Sequence, residues 1–303
     1  MGSRRLCTLL LVLLALFLAG GRPAVAQTVA TTRHDCTYPT DGASVAGGLE
    51  AYKANALLST WDRTARGNQP DPSQQQELEF QLSVKFSLLQ LDKEEWLPLY
   101  FGYSQRSFWQ FYDTGNSRPF RETNYNPELF VDWGATLLCG GPWGLVLGLA
   151  EHVSNGMSAP LSRSLWRAYL LPTYAFGDWR LGLKAMAYKR STLDDNRDLR
   201  AYLGSFDALL DYPFVTRAEL VGQRSWTLSL LLRRGDRTGC CSGQLDVGLR
   251  LRALNALPVL GRLVSDHVNP GLFLLLHAYS GYGESLIDYD RPVHTVGIGI
   301  AFR

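Results

Sequence analysis

LEFQLSVKFSL, residues 78–88, decides the fold. Leu78, Phe80, Leu82, Val84, Phe86 and Leu88 occupy one parity, and Glu79, Gln81, Ser83, Lys85 and Ser87 the other. Successive side chains of a strand point to opposite faces, so this is a strand with one apolar and one polar side. The alternation returns in Trp179, Leu181, Leu183, Ala185 and Ala187 against Arg180, Gly182, Lys184 and Tyr188. It returns again in Leu245, Val247, Leu249 and Leu251, and in Val296, Ile298, Ile300 and Phe302. Such runs reach about ten residues, longer than the usual soluble strand and long enough to cross a bilayer when tilted.

From Thr216 to Arg234 one parity holds Ala218, Leu220, Gly222, Trp226, Leu228, Leu230 and Leu232, with Arg217 and Glu219 opposite. Charges on the second face suit a hydrated interior. In lipid only a closed sheet satisfies every backbone N–H and C=O, so the fold class expected is all-β, a 12-stranded antiparallel transmembrane β-barrel. Its strands are expected near 48–58, 77–90, 97–111, 124–137, 143–153, 163–176, 179–190, 200–212, 216–233, 243–253, 271–282 and 293–302.

Arg4 and Arg5 precede an aliphatic run from Leu9 to Ala19, and Ala24, Val25 and Ala26 follow. That is the layout of a secretory signal peptide, residues 1–26. Residues 27–47 are polar and read as a periplasmic segment, and 48–303 as the barrel. No later run is apolar and long enough for a spanning helix. Apolar residues make up 46% of the chain and the formal net charge is +2, a balance that gives no reason to expect a nucleic-acid partner. The cysteines beyond the signal, Cys36, Cys139, Cys240 and Cys241, are too few for a disulfide scaffold, fit no zinc spacing, and leave their pairing open.

Chemistry enters at EHVSNGMSAPLSRSLWR, residues 151–167. His152 and Ser154 lie two apart on a strand, hence on one face, and an imidazole beside a hydroxyl is the minimal pair for nucleophilic acyl transfer. With both termini periplasmic, the fifth strand runs outward and the loop from Asn155 to Ser162 lies outside the cell. Parity groups Val146, Gly148, Ala150, His152 and Ser154 on the lipid face, with Glu151 opposite. A polar pair on that face is costly and needs a reason.

YSQRSFWQ (103–110), SRPFRETNYNPELF (117–130), HVSNGMSAPLSRS (152–164) and YSGYGESLIDYD (279–290) together resemble the outer membrane phospholipase A family of Gram-negative bacteria, over roughly 75–302. The resemblance implies a homodimer in the bacterial outer membrane that uses Ca2+ to hydrolyse acyl esters of glycerophospholipids. By position it makes Ser154 the nucleophile, His152 the general base and Gly156 an oxyanion amide. It likewise gives Met157 a calcium-binding carbonyl, Ser162 a calcium-binding oxygen and Ser117 a ligand reaching in from the other subunit. Gln105 matches a polar residue of the family's dimer face. Calcium takes oxygen ligands, so a methionine serves only through its backbone.

One position departs. The family orients its histidine with an asparagine, and the spacing from His152 places Trp166 there, whose indole donates but cannot accept. Asn155 and Glu151 are poorly aimed to replace it. Three readings stay open: a dyad with a loosely held histidine, an orienting group from elsewhere such as a backbone carbonyl, or a barrel that has lost activity.

Blander readings stand for other residues. Trp96, Trp109, Trp133, Trp143, Tyr100 and Tyr103 are expected in interfacial girdles. Arg121, Glu122, Asn124 and Arg163 are expected in a lumenal network, and Asp194, Asp195 and Asp198 in a solvated outer loop. Besides the calcium-dependent phospholipase stand a noncatalytic barrel, structural or a passive channel, and a lipid A acyltransferase or deacylase. The last would not call for the calcium and dimer residues.

Overall fold

The long alternating segments pair edge to edge. A computed structural model describes residues 49–64, 75–89, 98–133, 142–189, 198–212, 226–236, 241–252, 268–269 and 271–302. The signal segment 1–26, the segment 27–47, Trp96, Cys36, Cys139, Cys240, Asp194, Asp195 and the 216–225 part of the ninth expected strand lie outside the described residues. The strands are β1 (Glu50–Ala51), β2 (Asn55–Asp62), β3 (Gln76–Ser87), β4 (Leu99–Trp109), β5 (Phe120–Asp132), β6 (Trp143–Ser154) and β7 (Ser164–Phe176). After these come β8 (Trp179–Tyr188), β9 (Phe206–Tyr212), β10 (Trp226–Arg234), β11 (Cys241–Arg250), β12 (Leu272–Gly281) and β13 (Val293–Phe302). A short helix, α1 (Leu199–Leu203), lies between β8 and β9.

From β2 onward each strand pairs antiparallel with the next, and β13 returns to β2, from Thr295↔Asp62 to Phe302↔Asn55. β1 and β2 both pair with β3 and are two parts of one stave, offset where Glu50↔Lys85 gives way to Ala56↔Gln81. The result is the expected closed 12-stranded antiparallel barrel. Closure leaves no unpaired edge. The hairpins joining β4–β5, β6–β7, β8–β9 and β12–β13 share one rim.

Burial inverts the pattern of a soluble protein. Leu82, Leu170, Leu183, Leu276, Ile298 and Ile300 are exposed outward, whereas Glu77, Glu79, Ser83, Glu128, Glu151 and Asp207 are buried within the lumen. Most of these inward charges find a counter-charge elsewhere in the barrel. Arg106 grips Glu79 through Nε and Nη2 (2.6 and 2.9 Å), Arg121 grips Glu77 (2.7 and 3.0 Å), and Arg233 grips Asp207 (3.0 and 3.2 Å). Lys53 reaches Glu128 at 2.6 Å.

The β12–β13 connection then folds into the mouth. The Leu286 amide donates to Asn124 Oδ1 (3.3 Å), the Ile287 amide to Glu122 Oε1 (2.8 Å), and Arg121 Nη1 to Asp288 (2.7 Å). Above these, Leu286 and Tyr289 pack with Leu165 of β7 and Leu199 and Leu203 of α1. Burial and the hydrogen bond it donates to Asp198 push the Tyr289 phenol above its ordinary value, so it stays a donor.

Four expectations are corrected. Residues 199–203 are helical, not the start of a strand, because Leu199 and Leu203, one turn apart, both bury in that mouth cluster. β5 begins at Phe120, four residues earlier than expected, where its ring stacks on Trp109 of β4 and meets Phe80 of β3. Tyr100 is lumenal, stacked on Phe130 at 5.5 Å under Lys85, and no girdle residue. Gly148 faces inward, and Val146 with it on the same unbroken parity, since a Cβ on Gly148 would strike the buried Tyr169 ring at 2.2 Å.

Candidate active site

His152 and Ser154 face outward at the rim end of β6, and a bulge puts them there. Gly148 pairs with Tyr169 but Glu151 pairs with Arg167, so Leu149 and Ala150 together oppose Ala168. The extra residue reverses parity, and Glu151 follows Gly148 into the lumen while His152 turns out. Glu151 is buried, bound by Arg167 Nε and Nη2 (2.6 and 2.9 Å) and by Lys184 Nζ (3.0 Å). Asn126 donates to the His152 carbonyl at 3.0 Å, fixing the backbone from inside.

Outside, His152 lies opposite Trp166 and Ser154 opposite Ser164 on β7, with Tyr125 of β5 on its other side. The His152 ring stacks on the Trp166 indole, centroids 4.4 Å apart and planes 29° from parallel. Its Nδ1 lies 3.1 Å from the Leu165 carbonyl oxygen. A carbonyl only accepts, so Nδ1 carries the hydrogen, and the tautomer that fits this contact has a bare Nε2. Among the described residues this is the ring's hydrogen bond, and none of ordinary length joins it to Ser154 Oγ.

The next segment is a clamped loop. Asn155 is buried, its Nδ2 donates to the Leu161 carbonyl (2.9 Å), and its Oδ1 accepts from the amides of Arg163 (2.9 Å) and Met157 (3.3 Å). Arg163 Nη1 donates to the carbonyls of Pro160 and Ser162, both at 2.9 Å, with the guanidinium over Tyr289. Gly156 stands at φ +65°, where a Cβ would lie 3.0 Å from Tyr125 Cε2. Glycine is thus required there by both backbone and neighbour.

Ser117 sits elsewhere on the rim, in the exposed β4–β5 loop, where it and Arg118 adopt positive φ (61° and 53°). That loop leans towards β2, where Tyr112 Oη meets Ser59 Oγ at 3.3 Å. Gln105 faces outward on β4, its amide accepting from Tyr103 Oη (2.9 Å) and donating to Ser107 Oγ (3.2 Å).

A family model described as Phospholipase A1 matches residues 43–302. The chain belongs to the phospholipase A1 family. It is 34% identical to the phospholipase A1 of Proteus vulgaris, over 83% of this chain and 80% of that one. To the phospholipase A1 of Escherichia coli K12 it is 33% identical, again over 83% and 80%. Its structure resembles outer membrane phospholipase A from Escherichia coli (TM-score 0.67, 28% identity, 84% of this chain and 91% of that one). It also resembles the Salmonella typhi outer membrane phospholipase, a dimer with bound calcium (TM-score 0.67, 28% identity, 84% and 92%). The protein is therefore a phospholipase, and it is a β-barrel of the Gram-negative outer membrane.

In this phospholipase the structure brings His152, Ser154, Gly156, Met157 and Ser162 together on β6 and its following loop, with Ser117 on a separate loop. Arg121, Glu122 and Asn124 are lumenal as expected, and Arg163 instead caps loop carbonyls. Sequence reasoning left a backbone carbonyl open as the orienting group without placing it, and it missed what Asn155 does. The Leu165 carbonyl belongs to the backbone and leaves no mark in residue type. Asn155 was set aside as a loop residue, although an asparagine after a strand commonly bonds backbone groups nearby. A lumenal cluster of Glu79, His277 and Glu284 brings donor atoms within 4.8 Å of one another. Arg106 already holds both Glu79 oxygens and stands 3.5 Å from Glu284, so a cation fills that position.

Proposed function

We propose that this phospholipase cleaves glycerophospholipid acyl esters with Ser154 as nucleophile and His152 as general base, assisted by calcium and by dimerisation. The observation that carries the reading is the outward His152–Ser154 pair whose ring already has Nδ1–H committed to Leu165, leaving Nε2 to take the hydroxyl proton. Acyl chains in the leaflet then meet the hydroxyl from outside. As lipid enters, Ser154 Oγ closes on Nε2, a contact that commonly tightens only in the Michaelis complex. Oγ attacks the ester carbonyl, Nε2 takes its proton and then returns it to the departing glycerol oxygen. Water repeats the sequence on the acyl-enzyme. The Gly156 amide faces the developing oxyanion.

The loop fits a calcium ion. The Met157 carbonyl and Ser162 are neutral oxygen donors on one segment that Asn155 holds in shape, and oxygen is what this hard cation takes. When bound, the ion would offset negative charge on the tetrahedral intermediate. Ser117 belongs to a loop turned towards β2, so it suits a site on a second copy of the chain better than its own, and Gln105 lies on the same outward face. A passive channel finds no support, because the Glu122, Asn124 and Asp288 contacts of the β12–β13 connection occupy the mouth.

Purified protein in mixed micelles should release fatty acid with calcium and stop when a chelator is added. Ser154→Ala should abolish release while the barrel stays folded. Calcium-independent release, or release by folded Ser154→Ala, would overturn the reading.

A further inference from the structure

We propose that Trp166 is a positioning residue for the reaction: its indole and the Leu165 main-chain carbonyl together hold the His152 ring in its productive tautomer and plane, replacing the family's asparagine. The inference rests on the preceding assignment of His152 as the base.

Register explains why these two neighbours can share the task. The Asn155 amide bonds the Arg163 carbonyl at 3.0 Å, which marks a hydrogen-bonded pair. Antiparallel pairs alternate, so Val153 and Leu165 form the next such pair, and His152 and Trp166 are a pair without backbone bonds. Side chains approach most closely in pairs of that second kind, which accounts for the 4.4 Å stack. The Leu165 carbonyl has two lone pairs, one for the ladder and one for His152 Nδ1–H. It is an amide oxygen, chemically the same acceptor that an asparagine side chain offers.

The backbone acceptor differs in rigidity. Leu165 is fully buried, packed under Leu199, Leu203, Leu286 and Tyr289 in the barrel mouth, and its carbonyl cannot swing as a side-chain amide does. One hydrogen bond fixes the tautomer but leaves the ring free to rock about that contact. The indole face removes this freedom. It also lies against the ring at the moment the imidazole becomes imidazolium, and a cation over an indole face is favoured by a factor of roughly 2 to 30.

The test compares Trp166→Leu, Trp166→Phe and Trp166→Asn in calcium-loaded mixed micelles, with folding checked by heat-modifiable gel mobility. Leucine fills space without a π face, so kcat should fall about tenfold with KM nearly unchanged, and phenylalanine should restore most of the loss. Asparagine should behave like leucine, because Nδ1–H already has its acceptor. A folded Trp166→Leu protein with kcat within about twofold of the parent, or Trp166→Asn faster than the parent, overturns the proposal. Nitrogen-15 spectra of histidine-labelled parent protein give a readout independent of the variants: His152 should show the Nδ1–H tautomer when neutral, and the Nε2–H form would refute the Leu165 contact. If Ser154→Ala remains active, the nucleophile assignment fails. If it is dead while Trp166→Leu is unimpaired, only the positioning role fails.

Discussion

Gly156→Ala puts a single methyl group against the oxyanion assignment. At φ +65° a non-glycine residue incurs about 1–2 kcal/mol from its Cβ and the following carbonyl. The same methyl would stand 3.0 Å from Tyr125 Cε2, too near for ordinary contact. Turning the Asn155–Gly156 peptide relieves both, and it swings the amide away from the point where the oxyanion forms. Removing one such donor lowers kcat by roughly 10²–10³, whereas the folded barrel loses only about 1–2 kcal/mol. Asparagine tolerates this backbone region better but carries the same Cβ, so Gly156→Asn should fall between the parent and alanine, and Gly156→Val should be the poorest. Initial rates of fatty-acid release at saturating calcium measure the series, with folded fraction read from heat-modifiable gel mobility. A folded Gly156→Ala enzyme within about threefold of the parent kcat would refute the assignment, since an essential donor cannot be turned aside so cheaply.

Two further expectations concern what lies beneath and beside the pair. Glu151→Ala leaves Arg167 and Lys184 buried beside each other without their carboxylate, and should cost about 3–5 kcal/mol of unfolding free energy in a urea titration of the barrel in lipid. A change below about 1 kcal/mol would mean that the lumen rehydrates freely there. Asn155→Ala removes the side-chain bonds to Leu161, Met157 and Arg163 while leaving the strands alone. It should raise the calcium concentration needed for half-maximal release with little effect on unfolding, and an unchanged calcium dependence would remove Asn155 from the design of the loop.

Much of this was legible in the sequence because a membrane barrel writes its two environments on alternate residues. Leu78 to Leu88 announced its outward and inward faces at once, and the closing strand from Val293 to Phe302 agreed with it. Leu199 to Leu203 misled for the opposite reason: tertiary burial of two leucines in the mouth, not periodicity, decides that segment. His152 and Ser154 share one face as their spacing predicts, and three of the four residues assigned to the lumenal network, Arg121, Glu122 and Asn124, lie there. What holds His152 was not readable, because the acceptor is a main-chain oxygen and only the register of β6 against β7 brings it to Nδ1.

The outward aim of the pair has a cause that parity counting alone gets right by accident. Gly144 and Gly148 are buried on the inner face of β6, and continuing their parity would send His152 and Ser154 into the lumen and Glu151 into lipid. The bulge at Leu149 and Ala150 exchanges them within one residue. The exchange is strongly favoured from the inside, because Glu151 in the lumen meets Arg167 and Lys184, whereas outward it would be an unpaired carboxylate facing acyl chains. The buried ion cluster and the bulge therefore act as one device: the charge pairing within the lumen fixes which way the strand turns, and that turn delivers an imidazole and a hydroxyl to the membrane side. The outward aim of His152 and Ser154 is thus set as much by Glu151 as by any residue on the outer face of β6.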